Sequence, residues 1–594
     1  MPRVSSPTLL LAAVLLAACC STDAQTTTAR TGTQDRMHAA NAAFRNGYAA
    51  YSRNDLHAAQ QYFAQAVRLA PQMALAHSAL GTVLLAQGDS SGAVQQLETA
   101  HQLAPADLST SLSLGLAYTR TRRFAEAVRI FQQYAASADA TAHPLTADSA
   151  IAFATALVGT GDPAAAQRQL EQAIVTTPGS AQLHDALGTV LAQQQQFADA
   201  SSHYQQAIAL DSSLPEPHFH LGELYLVQHN VTAAIPELSL ADTLSHHAPV
   251  LAVQLAQAQM TAGQDDDAIA TLRQALAQTP GSPQLQYQLA FALQGANHTR
   301  ESIPLFQQVI AQQPDNVDAL TNLGLALTVT GDTKSAIPHF LHAAQLRPND
   351  PTLLEDLGVA YLQQSDLTNA IAQFSAGIQL RPEDPQLHYD LGLAYKLKDQ
   401  LDLAAEQFLQ AERLAPNLPD PPYTLGILYT QTGNFSAAIE QLKLAVGLTP
   451  QNGPAWEALG NAYKQTEQPE LALPALRRAA ELTPDQPSPH ITIAAILAQQ
   501  GKTAEATAER KIAAQLSRVA LSRQRANFAL DSGLALLKRN QVPEAIVQLQ
   551  NAVAADPGYA EPHRALAEAL ERQGHAADAA LERQKAAHLT DATH

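Results

Sequence analysis

The chain has 594 residues, of which 46% are hydrophobic and 15% charged, and its formal net charge is −19 at pH 7. Nucleic-acid binding needs clustered Lys and Arg to neutralise phosphates, so this balance argues against a nucleic-acid partner. The two cysteines are Cys19 and Cys20, which excludes a disulfide, a cysteine metal cluster or a catalytic thiol after residue 20.

Residues 1–18 are predicted to be a secretory signal that lies outside the fold. Arg3 supplies a positive start, and residues 9–18 form a short apolar stretch followed by small residues. The stretch is too short to cross a bilayer as a helix.

The end of this signal resembles the cleavage box of bacterial lipoproteins. In the run Leu16-Ala17-Ala18-Cys19, the resemblance implies that Cys19 becomes the lipidated first residue. Ordinary cleavage after Ala24 is the alternative, and it gives a soluble periplasmic or secreted protein. Cys20 stands where a retention Asp would lie, which favours the periplasmic face of the outer membrane. Residues 19–39, rich in Thr, Gln and Ser, are predicted to form a flexible tether.

A 34-residue period begins at residue 40 and continues to the end of the chain. Position 8 of the period is Gly in eleven repeats and Ala in five, position 20 is Ala in fifteen, and position 27 is Ala in thirteen. Three fixed small residues predict three points where helices approach closely. Pro at position 32 in eleven repeats is expected to end the second helix. The sixteen repeats start at residues 40, 74, 108, 147, 181, 215, 249, 283, 317, 351, 385, 419, 453, 487, 526 and 560.

Within each repeat the apolar spacing predicts two helices. In 385–418, Leu391 and Tyr395 lie on a first helical stripe, and Ala404 and Phe408 lie on a second. Many repeats carry Gly at position 15, followed by Asp or Asn. This pair favours a turn with positive φ and then a side-chain cap for the next helix.

This pattern resembles the tetratricopeptide repeat, and the resemblance covers residues 40–593. It implies an all-α, right-handed superhelical solenoid of about sixteen antiparallel helix pairs, in which first helices line a concave groove. Each repeat then buries its apolar face by stacking on its neighbours. The signature is matched in one repeat by Trp456, Leu459, Gly460, Tyr463, Ala472, Ala479 and Pro484.

Two slips of five residues interrupt the period. The slip at 142–146 predicts a longer loop. The slip at 521–525 lies in a stretch, 502–541, that has no Pro and one Gly, so we expect a long helix there. The predicted division is therefore an array of repeats 1–14 over 40–520 and a C-terminal pair over 521–594.

The second slip is also the most basic part of the chain. Residues 502–540 hold eight basic and three acidic side chains, a net charge of +5. Two interpretations stay open here, a solvated helix face and a docking patch. The candidate patch consists of Arg510, Lys511, Arg518, Arg523 and Arg525.

The residues favour a non-enzymatic protein without a metal or other cofactor. Six of the twenty-one histidines recur at position 4 of their repeats, which indicates packing and not six separate sites. His218 with His220, and His339 with His342, have spacings that a metal accepts, but no third ligand is fixed beside either pair. No phosphate loop, nucleophile elbow or zinc-protease helix appears.

The resemblance places the binding site on the first helices, at positions 2, 5, 9, 12 and 13. Aromatic side chains recur there and are plausible anchors for a peptide or a glycan, although they are equally able to pack on the next repeat. One repeat approaches the basic clamp that the family uses for a terminal carboxylate, but Glu457 beside it disfavours an anion. The candidate contacts are Tyr287, Phe291, Tyr389, Tyr423, Asn461 and Lys464.

Together these observations predict a protein–protein interaction scaffold in a bacterial cell envelope, anchored to the membrane by its N-terminal lipid alone. It would support the assembly or export of an envelope or secretion complex, with a protein or peptide in the groove. One alternative is a glycan-binding module of an exopolysaccharide export system. Another is a regulatory subunit of an envelope enzyme.

Overall fold

The computed structural model describes residues 29–137 and 143–591, which form thirty-one α-helices and no strand. The predicted all-helical class is confirmed. Sixteen helices build repeats 1–8: α1 (Ala29–Ser52), α2 (Leu56–Leu69), α3 (Ala74–Ala86), α4 (Ser90–Leu103), α5 (Leu108–Arg120), α6 (Phe124–Ala135), α7 (Ala147–Gly159), α8 (Pro163–Thr176), α9 (Ala181–Gln193), α10 (Phe197–Leu210), α11 (Pro215–Val227), α12 (Val231–Leu244), α13 (Pro249–Thr261), α14 (Asp265–Gln278), α15 (Pro283–Gly295) and α16 (Thr299–Gln312). Fifteen build repeats 9–16: α17 (Val317–Val329), α18 (Thr333–Leu346), α19 (Pro351–Gln363), α20 (Leu367–Leu380), α21 (Pro385–Leu397), α22 (Leu401–Leu414), α23 (Asp420–Gln431), α24 (Phe435–Leu448), α25 (Gly453–Gln465), α26 (Pro469–Leu482), α27 (Ser488–Gln499), α28 (Thr503–Lys538), α29 (Val542–Ala555), α30 (Ala560–Gln573) and α31 (Ala576–Asp591).

The chain divides into two compact units, an N-terminal unit (Met1–Gln313) and a C-terminal unit (Pro314–His594). The division falls where repeat 8 gives way to repeat 9. The boundary predicted from the sequence, at 520/521, lies within α28.

The core of each repeat is a close approach between its two helices. Position 8 on the first helix faces the residue sixteen places later on the second, which we call the knob. In fourteen repeats the knob is Phe, Leu or Tyr and is almost completely buried, as Phe408 is. At all eleven glycines of position 8, an added Cβ would lie within 3.0 Å of the knob side chain. The predicted requirement for a small residue is therefore confirmed, and the knob is its cause.

Position 4 carries a second contact that recurs from repeat to repeat. Each of its six histidines places Nδ1 at 2.5–3.0 Å from the residue nineteen places later, which is Gln, Glu or His. In His77, His388 and His563, Nε2 also reaches the carbonyl oxygen of the proline six places earlier. Trp456 donates its Nε1–H to the corresponding carbonyl, that of Pro450 at the end of the preceding repeat. The interpretation of position 4 as a packing position is consistent with these contacts.

The turn between the two helices has one conformation throughout. Position 15 has a positive φ of 56–91° in all sixteen repeats, although nine of these residues are not glycine. Arg122 and Glu467 are among the nine, and they adopt a backbone region that is costly for L-residues. Asp or Asn at the next position often caps the second helix, as when Asp89 accepts a hydrogen bond from the backbone N–H of Gly92 at 2.8 Å.

Two helices extend beyond the repeat lattice. Helix α1 begins at Ala29, so residues 29–39 are helical and not part of a flexible tether as predicted. Residues 34–39 contain no Pro or Gly, and their propensity allows the packed helix to continue outward. Helix α28 has 36 residues because the second helix of repeat 14 continues as the first helix of repeat 15. The long helix expected at this slip is thus observed, and it replaces the usual loop between two repeats.

Gly392→Leu should destabilise the C-terminal unit by about 1–3 kcal/mol, because the new side chain overlaps the Phe408 ring. A Cβ at Gly392 would already lie 2.6 Å from Phe408 Cε1. Hydrogen exchange should show lost protection in repeats 10–12 and little change in distant repeats, since the array is stabilised by nearest neighbours.

The matched control is Gly447→Ala on α24, where an added Cβ meets nothing within 4 Å. This change should be neutral or slightly stabilising. Uniform loss of protection along the C-terminal unit in Gly392→Leu would contradict the nearest-neighbour description.

Candidate binding surfaces

Hydrogen bonds between neighbouring first helices occupy part of the predicted inner face. In the N-terminal unit, His220 Nδ1 lies 2.8 Å from Asp185 Oδ1 and joins α11 to α9. Burial alone would lower the pKa of His220, but the hydrogen bond and charge of Asp185 outweigh burial and raise it. In the C-terminal unit, Tyr389 Oη lies 3.2 Å from Thr424 Oγ1 and joins α21 to α23.

Each of these lateral pairs joins position 5 of one repeat to position 6 of the next. These hydrogen bonds were not predicted from the sequence, in which position 5 was considered for contact with a ligand or for aromatic packing. Complementary polar residues 35 positions apart were the available signal. Part of the inner face is therefore used to join repeats and is not free for a ligand.

In the N-terminal unit, the candidate aromatics Tyr287 and Phe291 form an aromatic step on α15. Their rings are nearly parallel, with centroids 6.4 Å apart and an interplanar angle of 15°. Tyr287 rests edge-on against the buried knob Phe306, with centroids 5.8 Å apart. Phe291 is 46% exposed, so the knob fixes Tyr287 while Phe291 presents a ring to solvent.

In the C-terminal unit, Tyr389 and Tyr423 are more deeply packed. The Tyr389 ring lies against the knob Phe408, with centroids 5.5 Å apart, and burial raises the pKa of its hydroxyl. Tyr423 packs on an apolar cluster that includes the knob Leu442 and, in the next repeat, Leu459. Both residues are half-buried, and their role as groove contacts stays a prediction.

Asn461 and Lys464 lie on α25 and are partly exposed. Glu457 lies on the same side of that helix by its spacing, four and seven residues earlier. This face therefore mixes charges of both signs, and its role in binding stays a prediction.

Three acidic side chains on α19 and α21, Glu355, Asp356 and Asp390, form a further feature, which was not predicted from the sequence. Burial, with the nearby charges of Glu355 and Asp350, raises the pKa of Asp356 to about 6. Burial also raises the pKa of Asp390 to about 6, although Gln386 Nε2 donates a hydrogen bond to Asp390 Oδ1 at 3.1 Å. Asp390 is only 7% exposed. The signal in the sequence was an Asp at position 6 in two successive repeats.

The candidate basic patch lies on α28, but its five members are not equivalent. Arg523 is part of the fold, because its guanidinium pairs with Asp556 and lies 4.0 Å from the centre of the Tyr559 ring. The other four are exposed and form no ion pair with any residue in the described part of the chain: Arg510, Lys511, Arg518 and Arg525.

The predicted lipidation site Cys19 lies outside the described residues. Among those described, no group of three or more His, Cys, Asp or Glu side chains is arranged to hold a metal ion. Over the same residues, none of the helices combines the length and apolarity needed to cross a membrane.

Family models match most of the array. A model described as tetratricopeptide repeat matches residues 44–108, 79–143, 287–351 and 423–487. Two further models with the same description match residues 249–292 and 385–418. A model described as TPR repeat matches residues 188–228, 360–399 and 533–574. Together these segments cover more than half of the chain.

Similar solved structures share low sequence identity with the chain. The crystal structure of the Cut9–Hcn1 hetero-tetramer of the APC/C is 13% identical, covers 92% of this chain and 99% of that one, and has a TM-score of 0.35. MamA is 24% identical over 27% and 94% of the two chains, with a TM-score of 0.26. PilF of Pseudomonas aeruginosa is 18% identical over 35% and 94%, with a TM-score of 0.31. No curated protein matches the chain.

Asp390→Asn should stabilise the C-terminal unit at neutral pH. The folded pKa of Asp390 lies above the ordinary value of 3.8, so its contribution to stability is full below about pH 4 and is lost as pH rises through 6. The amide of the variant does not ionise, so this loss of stability does not occur, and its oxygen still accepts the hydrogen bond from Gln386 Nε2. Hydrogen exchange in α21, corrected for intrinsic rates, should show a gain in protection on the order of 2 kcal/mol at pH 7.

Asp402→Asn, which changes an exposed carboxylate on α22, should leave the pH profile unchanged. Lower protection of α21 in Asp390→Asn at pH 7 would show that the carboxylate stabilises the fold in its charged form.

Proposed function

The chain belongs to the tetratricopeptide repeat family, and from that premise we propose that it is a non-enzymatic scaffold anchored by lipid in a bacterial cell envelope. Proteins of this family bind protein or peptide partners, and the paired repeats identify this chain as an interaction scaffold of that kind. The scaffold would support the assembly or export of an envelope or secretion complex. No nucleic-acid partner is proposed for this acidic chain.

The observation that supports a scaffold most directly is the contrast between the two sides of a first helix. Position 8 and the knob are buried within the repeat, whereas other first-helix positions remain partly exposed. Thr82 and Leu325, both at position 9, are examples. A regularly spaced set of partly exposed side chains on a rigid framework suits recognition of an extended or helical partner.

The lipid anchor is supported by the Leu16–Cys19 run and by its position directly after a short apolar stretch. Two or more acyl chains give stable attachment where a single chain is marginal. The outer membrane is proposed because no retention Asp follows Cys19.

A glycan ligand is the second candidate function, and the exposed ring of Phe291 favours it. Its near-parallel step with Tyr287 offers two aromatic faces to a sugar chain. Phe291→Ala should then abolish binding on a glycan array, while Phe528→Ala, which removes another exposed ring, should not.

Cys19→Ser should release the protein from the membrane fraction of the envelope and abolish its labelling by a fatty-acid probe. Cys20→Ser is the matched control and should leave both readouts unchanged. Retention of Cys19→Ser in the membrane fraction would show that an uncleaved signal or a protein partner holds the chain there.

A photo-crosslinking residue at Leu325 should capture a partner protein in intact envelopes. The same residue at Lys334, an exposed position early in the second helix of that repeat, should capture none. Crosslinks to the same proteins from both positions, or from neither, would argue against binding through the first-helix face. Mass spectrometry of the captured product identifies the partner.

A further inference from the structure

Repeat 14 lacks the knob that fills the other internal repeats. Fourteen repeats place a buried Phe, Leu or Tyr at that position, but repeat 14 has Arg510 and repeat 16 has Arg583. In repeat 16 the charge is paired, because Arg583 forms an ion pair with Glu571. Arg510 of repeat 14 forms no ion pair with any residue in the described part of the chain, so it needs another explanation.

The explanation begins with the course of α28. Because this helix runs on into repeat 15, the second helix of repeat 14 is not followed by a loop and a separate first helix. An open groove of about 410 Å³ lies between α27 and the first half of α28. The buried Ala494 and Ala513 form its floor. The more exposed Ala495, Ala514, Ile491 and Arg510 also line it. We call this feature the α27/α28 groove.

The groove continues as an exposed stripe along α28. Residues 510, 514, 517, 521, 525 and 528 are spaced by three or four and so lie on one side of the helix. Leu521 is 48% exposed and Phe528 is 80% exposed. Between Ala514 and Leu521, every residue except Leu516 is exposed. Large apolar side chains in water next to an apolar groove are typical of a docking surface.

The charges beside the groove favour an acidic partner. Residues 510–525 carry five basic side chains and no acidic one. Only Arg523 among them has a partner within the described chain, Asp556. The terminal face of repeat 16 differs, because its Arg583 pairs with Glu571 and its Arg572 with Glu568.

We propose that the α27/α28 groove and the exposed stripe of α28 bind an acidic amphipathic helix of a partner protein. The small residues of the floor allow a helix to approach closely, Leu521 and Phe528 extend its apolar contact, and unpaired arginines flank it. Residues 510–525 span about 24 Å, which matches a partner helix of about sixteen residues. The proposal rests on the scaffold function and names the chemistry of one partner.

Synthetic sixteen-residue peptides test the proposal on the full chain. The first peptide places Leu at helical spacing of three and four and Glu on the flanks. The second replaces each Glu by Lys, and the third keeps the composition of the first but scrambles the order. By fluorescence anisotropy, the first peptide should bind at least about tenfold more tightly than either control. Its affinity should fall as salt rises, because salt shortens the distance over which charges attract each other, which is about 8 Å at physiological ionic strength.

Two double variants with the same change in net charge locate the site. Arg510→Glu with Arg518→Glu should weaken binding of the acidic peptide by at least about tenfold. Arg477→Glu with Lys538→Glu, which reverses exposed charges outside the groove, should change the affinity by less than about twofold. Ala514→Trp should also weaken binding by filling the groove. Circular dichroism should report an unchanged helix content in all three variants, since the altered side chains are exposed.

Several outcomes would overturn the proposal. These are equal binding of the acidic and scrambled peptides, equal loss in the two double variants, or an unchanged affinity in Ala514→Trp. Binding of phosphatidylglycerol vesicles without binding of the acidic peptide would identify a membrane surface as the occupant. A dimer in light scattering that Arg518→Glu dissociates, again without peptide binding, would identify a second copy. Each of these results leaves crosslinking from Leu325 unaffected, so failure here is distinct from failure of the scaffold function.

Discussion

The close approach of position 8 to the knob is the constraint on which the rest of each repeat depends. In the eleven repeats with Gly at position 8, the knob side chain occupies the space that a Cβ would need, and this sets the distance between the two helices. With that distance fixed, the histidines of position 4 reach the second helix nineteen residues later and the preceding proline carbonyl. The positive φ of position 15 then forms the turn that brings the second helix back against the first.

This dependence also explains where function is possible. A repeat that has a buried knob, the position-4 contact and the position-15 turn tolerates little sequence variation in its core. The variable residues are those on the exposed side of the first helices and those at places where the lattice is broken. Phe291 belongs to the first kind, and the α27/α28 groove belongs to the second. Phe291 lies on a helix whose neighbouring Tyr287 packs on the knob, which is a favourable arrangement for presenting a binding surface.

Periodicity predicted most of the fold, because small residues and prolines recur at spacings that only stacked helix pairs explain. The period also indicated a long helix at the second slip. It did not predict that α1 begins at Ala29, since a helix without apolar periodicity leaves no pattern to detect. The binding surfaces were harder to predict. Arg523 is identical in sequence terms to Arg518, and only the fold places Asp556 and Tyr559 beside it.

The lateral hydrogen bonds between first helices have a consequence for assembly of the array. Repeats that share one core design are nearly interchangeable, so a folding chain risks stacking a repeat on the wrong neighbour. The lateral pairs differ along the chain, with Asp185 and His220 in one place and Tyr389 and Thr424 in another. A wrong neighbour would leave Asp185 partly buried without its imidazole, and an unpaired buried carboxylate is costly. These pairs therefore give specificity to the stacking, because the correct order of repeats is the one in which every lateral pair forms.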